Sequence, residues 1–170
     1  DWCKAQGIGM DFNATCFSHD RAADGFTLSS KNEENRRFWV EHVKRCRAIS
    51  AEAGKQLGSP CVHNTWIPDG SKDTQIDRNG YRANLKKSLD EAMATEYPKE
   101  YMTDAVESKL FGIGVESMTV GSHDFYLGYA IKNDKLICLD NGHFHPTEHV
   151  GDKISSVLQF VDEILLHVTR

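Results

Sequence analysis

The sequence has 170 residues, 39% of them hydrophobic and 26% charged, with a formal net charge of -5, which fits one globular domain with a real core. The acidic excess argues against a nucleic-acid or anionic-membrane partner, since either favours clustered Lys and Arg. No apolar run approaches the roughly 20 residues of a membrane span, and no secretory leader pattern opens the chain.

In chain order, residues 2–6 read as the tail of a helix stopped by Gly7, and residues 8–13 (IGMDFN) as a short strand. A long loop over 15–30 follows; loops of that length tend to be functional. Ser30, with Glu33 three positions on, matches a capping box. Trp39, Val43, Cys46, Ala53 and Leu57 then recur at helical spacing up to Gly58. Residues 61–66 (CVHNTW) form the next strand, and Pro68-Asp69-Gly70 marks a turn in a polar loop over 67–80. Residues 82–96 are helical, with Leu85, Leu89, Ala92 and Met93 on one stripe. A strand over 104–109 precedes a break at Gly112 and Gly114. A helix over 122–131 and a strand over 135–140 come next. Asp152 caps a helix that turns Ile154, Val157, Leu158 and Val161 inward, and residues 164–169 (ILLHVT) form the last strand.

About five strands thus alternate with about four helices, which implies parallel strands with helices packed outside. The choice lies between an open doubly wound sheet and a barrel, and no G-x-G-x-x-G supports the dinucleotide-binding version. In the barrel version the fold is α/β, and residues 1–170 would supply about five β/α units of a single-domain (β/α)8 TIM barrel. Both ends look truncated, so the complete protein is expected to be longer. Cys3, Cys16, Cys46, Cys61 and Cys138 are odd in number, scattered and without C-x-x-C, as in a cytoplasmic protein with reduced thiols.

The chemistry collects where strands end. Asn13 and Trp66 end two strands, Glu107 and Lys109 a third, Asp140 and His143 a fourth, and His167 lies near the end of the fifth. In a parallel barrel these ends share one rim, where active sites are built. The stretch LICLDNGHFHPTE over 136–148 is the sharpest signal: Asp140 and His143 lie three positions apart across a strand-to-loop turn. Carboxylate and imidazole are ligands for divalent transition ions. Glu107 and Lys109 are expected on one face of their strand. Singly, each has a plainer reading: Glu107 as the ion-pair partner of Lys109, His167 as a core histidine, His143 and His145 as loop residues. Together the plainer readings weaken, because several strands would each place a costly ionisable group in one buried region. His42 reads as a solvated helix residue, and His19, His123 and His149 sit in polar surroundings without ligand spacing; Asp69 and Asp73 could line the mouth of the site, though acidic loop residues are usually just exposed, and Cys138 reads as a small core hydrophobe.

The stretches DFNATCFSH, CVHNTWIPDG, VESKLFGIGVESMTVGS, LICLDNGHFHPTE and KISSVLQFVDEILLHVTR resemble the L-rhamnose isomerase family along essentially the whole sequence. The resemblance implies a (β/α)8 barrel, a homotetramer, and interconversion of L-rhamnose and L-rhamnulose with Mn2+, or Zn2+ or Co2+, at two ions per complete subunit. It implies Glu107, Asp140 and His167 as ligands of a substrate-anchoring ion and His143 as ligand of a catalytic one. Lys109 is matched to a lysine contacting substrate oxygens, and Trp66 and Phe17 to aromatic walls of the sugar pocket. Glu-x-Lys and acidic-x-x-His spacings of the same kind occur in the related xylose isomerase. The family continues with a Trp-Asp-x-Asp motif beyond the point where this sequence ends, so the segment alone is expected to be inactive. Two rivals stay open: another metal-dependent barrel enzyme acting on sugars, an epimerase or aldolase, and a non-catalytic sugar-binding module.

Overall fold

The computed structural model describes residues 1–73, 76–109 and 117–168. Helix α1 (Trp2–Gln6) ends at Gly7, whose positive φ lets its N–H reach back to the last turn. Strand β1 is Phe12–Thr15, later than the expected 8–13. The reason is local: the Asp11 carboxylate accepts the Val62 N–H at 2.9 Å, and that contact sets where pairing begins. Helix α2 (Glu33–Leu57) is capped by Asn32, whose side chain accepts from the N–H groups of Glu34 and Asn35. The expected cap, Ser30, is instead buried and accepts the Asn32 N–H.

Strand β2 (Cys61–Trp66) has its expected bounds. A two-residue strand β3 (Gly70–Ser71) follows. Helix α3 (Arg78–Ala92) starts four residues before the expected position because Asp77 caps it. Strand β4 (Met102–Glu107) also lies two residues early, and β5 (Met118–Thr119) pairs antiparallel with β3. The expected break at Gly112 and Gly114 lies outside the described residues. Helix α4 (His123–Asn133), strand β6 (Leu136–Asp140), helix α5 (Val150–Val157) and strand β7 (Ile164–His167) complete the chain. The cap of α5 is His149, with Asp152 in the first turn, where a carboxylate suits the helix dipole. Of the four residues expected to turn inward here, Val157 is buried while Leu158 is largely exposed.

The main sheet runs β1-β2-β4-β6-β7, every neighbouring pair parallel. Each new strand adds on the same side of the one before. A doubly wound sheet reverses direction at a switch point; among the described residues this one does not. The fold is therefore α/β with a mostly parallel sheet and helices α2 to α5 as the crossovers.

Alternation sorts the side chains. His63, Asp104, Val106, Ile137 and Leu139 face the helices, where Trp39, Val43, Leu85, Leu89, Tyr126 and Ala130 complete a core. The helix face also holds a buried ion pair. Arg47 on α2 donates Nε and Nη2 to Asp104 on β4, both at 2.8 Å, and its remaining donors reach the carbonyls of Ala92 and Thr95. Close packing of α2 needs Gly54: a Cβ there would lie 1.8 Å from the Tyr101 carbonyl oxygen. The opposite face carries Asn64, Trp66, Glu107, Cys138, Asp140 and His167. No helix among the described residues is long and apolar enough to cross a membrane.

Candidate metal centre

Four donors meet at the C-terminal ends of β4, β6 and β7. Glu107 is the last residue of β4 and Asp140 the last of β6, and register places Asp140 beside His167 on β7. Asp140 does two things at once. Its Oδ1 accepts the Gly142 N–H at 2.7 Å and so starts the 3-10 turn of residues 141–143. That turn swings His143 back over the strand end. His143 Nδ1 then lies 3.0 Å from Glu107 Oε1, and its Nε2 3.9 Å from Asp140 Oδ2. His167 Nδ1 approaches from the other side, 3.3 Å from Glu107 Oε2 and 3.7 Å from Asp140 Oδ2.

The electrostatics follow from this crowding. Burial alone would raise the Glu107 carboxyl, but hydrogen bonds from His143 and Asn64 and the nearby His167 hold it below its ordinary value. The bond to Glu107 is the main reason the His143 imidazole is pushed up, against the effect of its own burial. Ligand atoms of Glu107, Asp140 and His143 lie within 4.8 Å of one another, and so do those of Glu107, Cys138 and His167. Carboxylate oxygens, imidazole nitrogens and a thiol at this spacing are groups that could hold a metal ion.

Aromatic side chains border the cluster. The Trp66 ring stacks on His143 with centroids 6.1 Å apart, and Phe17 meets Trp66 edge-on at 5.7 Å. Trp66 Nε1 is buried with no hydrogen-bond partner among the described residues. Lys109 departs from expectation. It lies beyond the end of β4, so strand alternation does not set its direction. Its backbone N–H donates to the Gly121 carbonyl, and its ammonium donates to the Pro68 carbonyl at 2.7 Å.

Three residues near the site escaped the sequence reading. Asn64 donates from Nδ2 to Glu107; its place two residues before Trp66 on β2 was the available signal. Cys138 is buried as expected, but it also faces Glu107 and His167. Asp69 was expected to be exposed or at the mouth of the site and is fully buried. Its carboxylate takes four donors from Thr27 and Ser29, which no local pattern could announce. His123, expected in polar surroundings, is partly buried against Phe144.

Comparison with known proteins agrees with this architecture. The family model for L-rhamnose isomerase (RhaA) matches residues 1–170. The chain belongs to the L-rhamnose isomerase family. It is 55% identical over its 170 residues to the L-rhamnose isomerase of Pectobacterium carotovorum subsp. carotovorum, and 54% identical to those of Rhodopirellula baltica and Bacteroides thetaiotaomicron. All of this chain is covered in each case, but only 40% of each relative. The chain therefore spans about two fifths of the length of these family members. Among solved structures, 3-keto-D-glucoside 4-epimerase YcjR from E. coli, in its apo form, superposes with a TM-score of 0.67 at 13% identity. That match covers 99% of this chain and 61% of the epimerase, and at such low identity it concerns the fold alone.

Proposed function

We propose that this chain is the metal-holding arc of a (β/α)8 barrel in an enzyme that interconverts L-rhamnose and L-rhamnulose. The observation that carries the reading is the convergence of Glu107, Asp140, His143 and His167 at one end of a parallel sheet. Family membership supplies the substrate class. Closure into a barrel is supported by the strand order, which never reverses. Both outer strands of the sheet, β1 and β7, have a free edge among the described residues, which closure into a barrel would pair.

In this reading Glu107, Asp140 and His167 hold an anchoring ion, Mn2+ or in its place Zn2+ or Co2+, and His143 contributes to a second. A bound divalent ion supplies charge that fixes neighbouring sugar oxygens and eases loss of a hydroxyl proton. The isomerisation balances internally: a hydrogen leaves C2 and arrives at C1, and a proton passes from O2 to O1, with no outside oxidant. Lys109 presents a fixed positive charge to the oxygen that becomes negative on the way. Trp66 and Phe17 wall the site, shed water and suit the apolar methyl end of a 6-deoxy sugar. By family membership the complete protein is read as a cytoplasmic homotetramer acting on free sugar.

The test is an assay of a polypeptide of the relatives' length that carries this segment. L-rhamnose should yield L-rhamnulose, activity should vanish on chelation, and Mn2+ should restore it. Turnover of phosphorylated sugars or inversion at a carbon without isomerisation would favour the epimerase or aldolase reading. Sugar binding with no conversion would favour a binding module.

A further inference from the structure

Asp69 is the one fully buried carboxylate on the loop that follows β2. Its Oδ2 accepts the backbone N–H groups of Thr27 and Ser29 at 2.7 and 3.0 Å and the Ser29 hydroxyl at 2.5 Å. Its Oδ1 accepts the Thr27 hydroxyl at 2.5 Å. A segment 40 to 42 residues earlier in the chain is thereby fastened to this turn. The backbone of the turn is held as well. Val120 N–H donates to the Asp69 carbonyl, and Gly70 N–H donates to the Gly25 carbonyl.

The neighbour of Asp69 gives this clamp a purpose. The Pro68 carbonyl is the group that receives the Lys109 ammonium. Two residues before it stands Trp66, against His143. The other tether of Lys109, its N–H to the Gly121 carbonyl, is backed by the Tyr126 ring, so close that a Cβ on Gly121 would sit 2.4 Å from Tyr126 Cε2. These two anchors of Lys109 are thus held in place from outside the Glu107–Asp140–His143–His167 cluster.

We propose that Asp69 is a positioning residue: by locking the segment 27–29 to the turn after β2, it fixes the Pro68 carbonyl and so the place of the Lys109 ammonium. The proposal rests on the reading of Lys109 as a substrate-contacting group. What the position requires is a planar group of this shape that can meet the four partner groups of Thr27 and Ser29. Asn keeps an oxygen where Oδ2 takes three donors, and the Thr27 hydroxyl can rotate to accept from the amide.

The experiment compares Asp69→Asn and Asp69→Ala, each with Lys109 intact and with Lys109→Met, in a polypeptide of the relatives' length. Asp69→Ala should lower kcat about 10- to 100-fold, the scale set by a misplaced catalytic group. KM should stay within about two-fold, since the lost interaction belongs to the transition state. Asp69→Asn should restore most of the turnover. In the Lys109→Met background, Asp69→Ala should cause no further loss. If Asp69→Ala does not fold, Thr27→Val with Ser29→Ala removes two of the four donors and should show the same pattern in weaker form. An equal loss in both backgrounds, or an Asn variant no better than Ala, overturns the clamp while leaving Lys109 in place. Full turnover by Lys109→Met alone removes Lys109 from the reaction and the clamp's role with it.

Discussion

Strand β4 carries two buried carboxylates three residues apart, and they have opposite fates. Asp104 faces the helices and meets a bidentate guanidinium from Arg47, with the Lys135 ammonium 3.5 Å away. Glu107 faces the other way and meets an amide and two imidazoles, with Asp140 close by. The first arrangement compensates its charge inside the protein. The second gathers acidic and imidazole groups on one spot, a design that makes sense when a cation completes it. The same strand thus pairs its charge toward one layer and gathers metal-ligand residue types toward the other, and the sidedness comes from nothing more than the two-residue period of a strand.

The contrast can be broken from either side. The largest effect is expected at the chemical end. His143→Ala in a polypeptide of the relatives' length should abolish turnover while leaving the melting profile close to that of the parent; retained activity would take His143 out of the site. At the structural end, Arg47→Met strands Asp104 in the core and should cost about 3–5 kcal/mol in chemical denaturation, the range for a broken buried ion pair. A loss below about 1 kcal/mol, typical of an exposed pair, would mean that Asp104 finds another partner.

A smaller effect follows from acidity. Burial by itself would raise the Asp104 carboxyl, but the imidazole and guanidinium beside it and the Lys135 charge outweigh burial and hold it well below the usual range. A carboxyl depressed in the folded state stabilises the fold above its unfolded pKa of roughly 4 and loses that support as pH falls toward the folded value. The parent should therefore lose stability steeply below about pH 4, and Asp104→Asn should flatten that slope. An unchanged slope would assign acid sensitivity to other groups.

How much of this was legible beforehand depends on the range of the interaction. The alternation of strands and helices, the bounds of β2 and the gathering of Glu107, Asp140, His143 and His167 at strand ends all follow from local pattern. Gly7 and Gly58 ended their helices as read. The first strand and the third helix were misplaced because single side chains, Asp11 and Asp77, decide where pairing and capping begin. The partners of Arg47 and Asp69 lie 57 and about 40 residues away, beyond any local signal. Lys109 lies beyond the strand because β4 ends at Glu107, two residues before the expected bound. The backbone carbonyl of Pro68 that receives its ammonium leaves no mark in composition.

Glu107 is either a ligand for a cation, as proposed above, or merely the acceptor for two histidines. Replacing Glu107 with Gln keeps shape and removes the charge. Metal content should be measured by elemental analysis after reconstitution of parent and variant with Mn2+. Bound metal per protein should fall clearly at unchanged folding if Glu107 is a ligand; an equal metal-to-protein ratio in parent and variant would show that it is not.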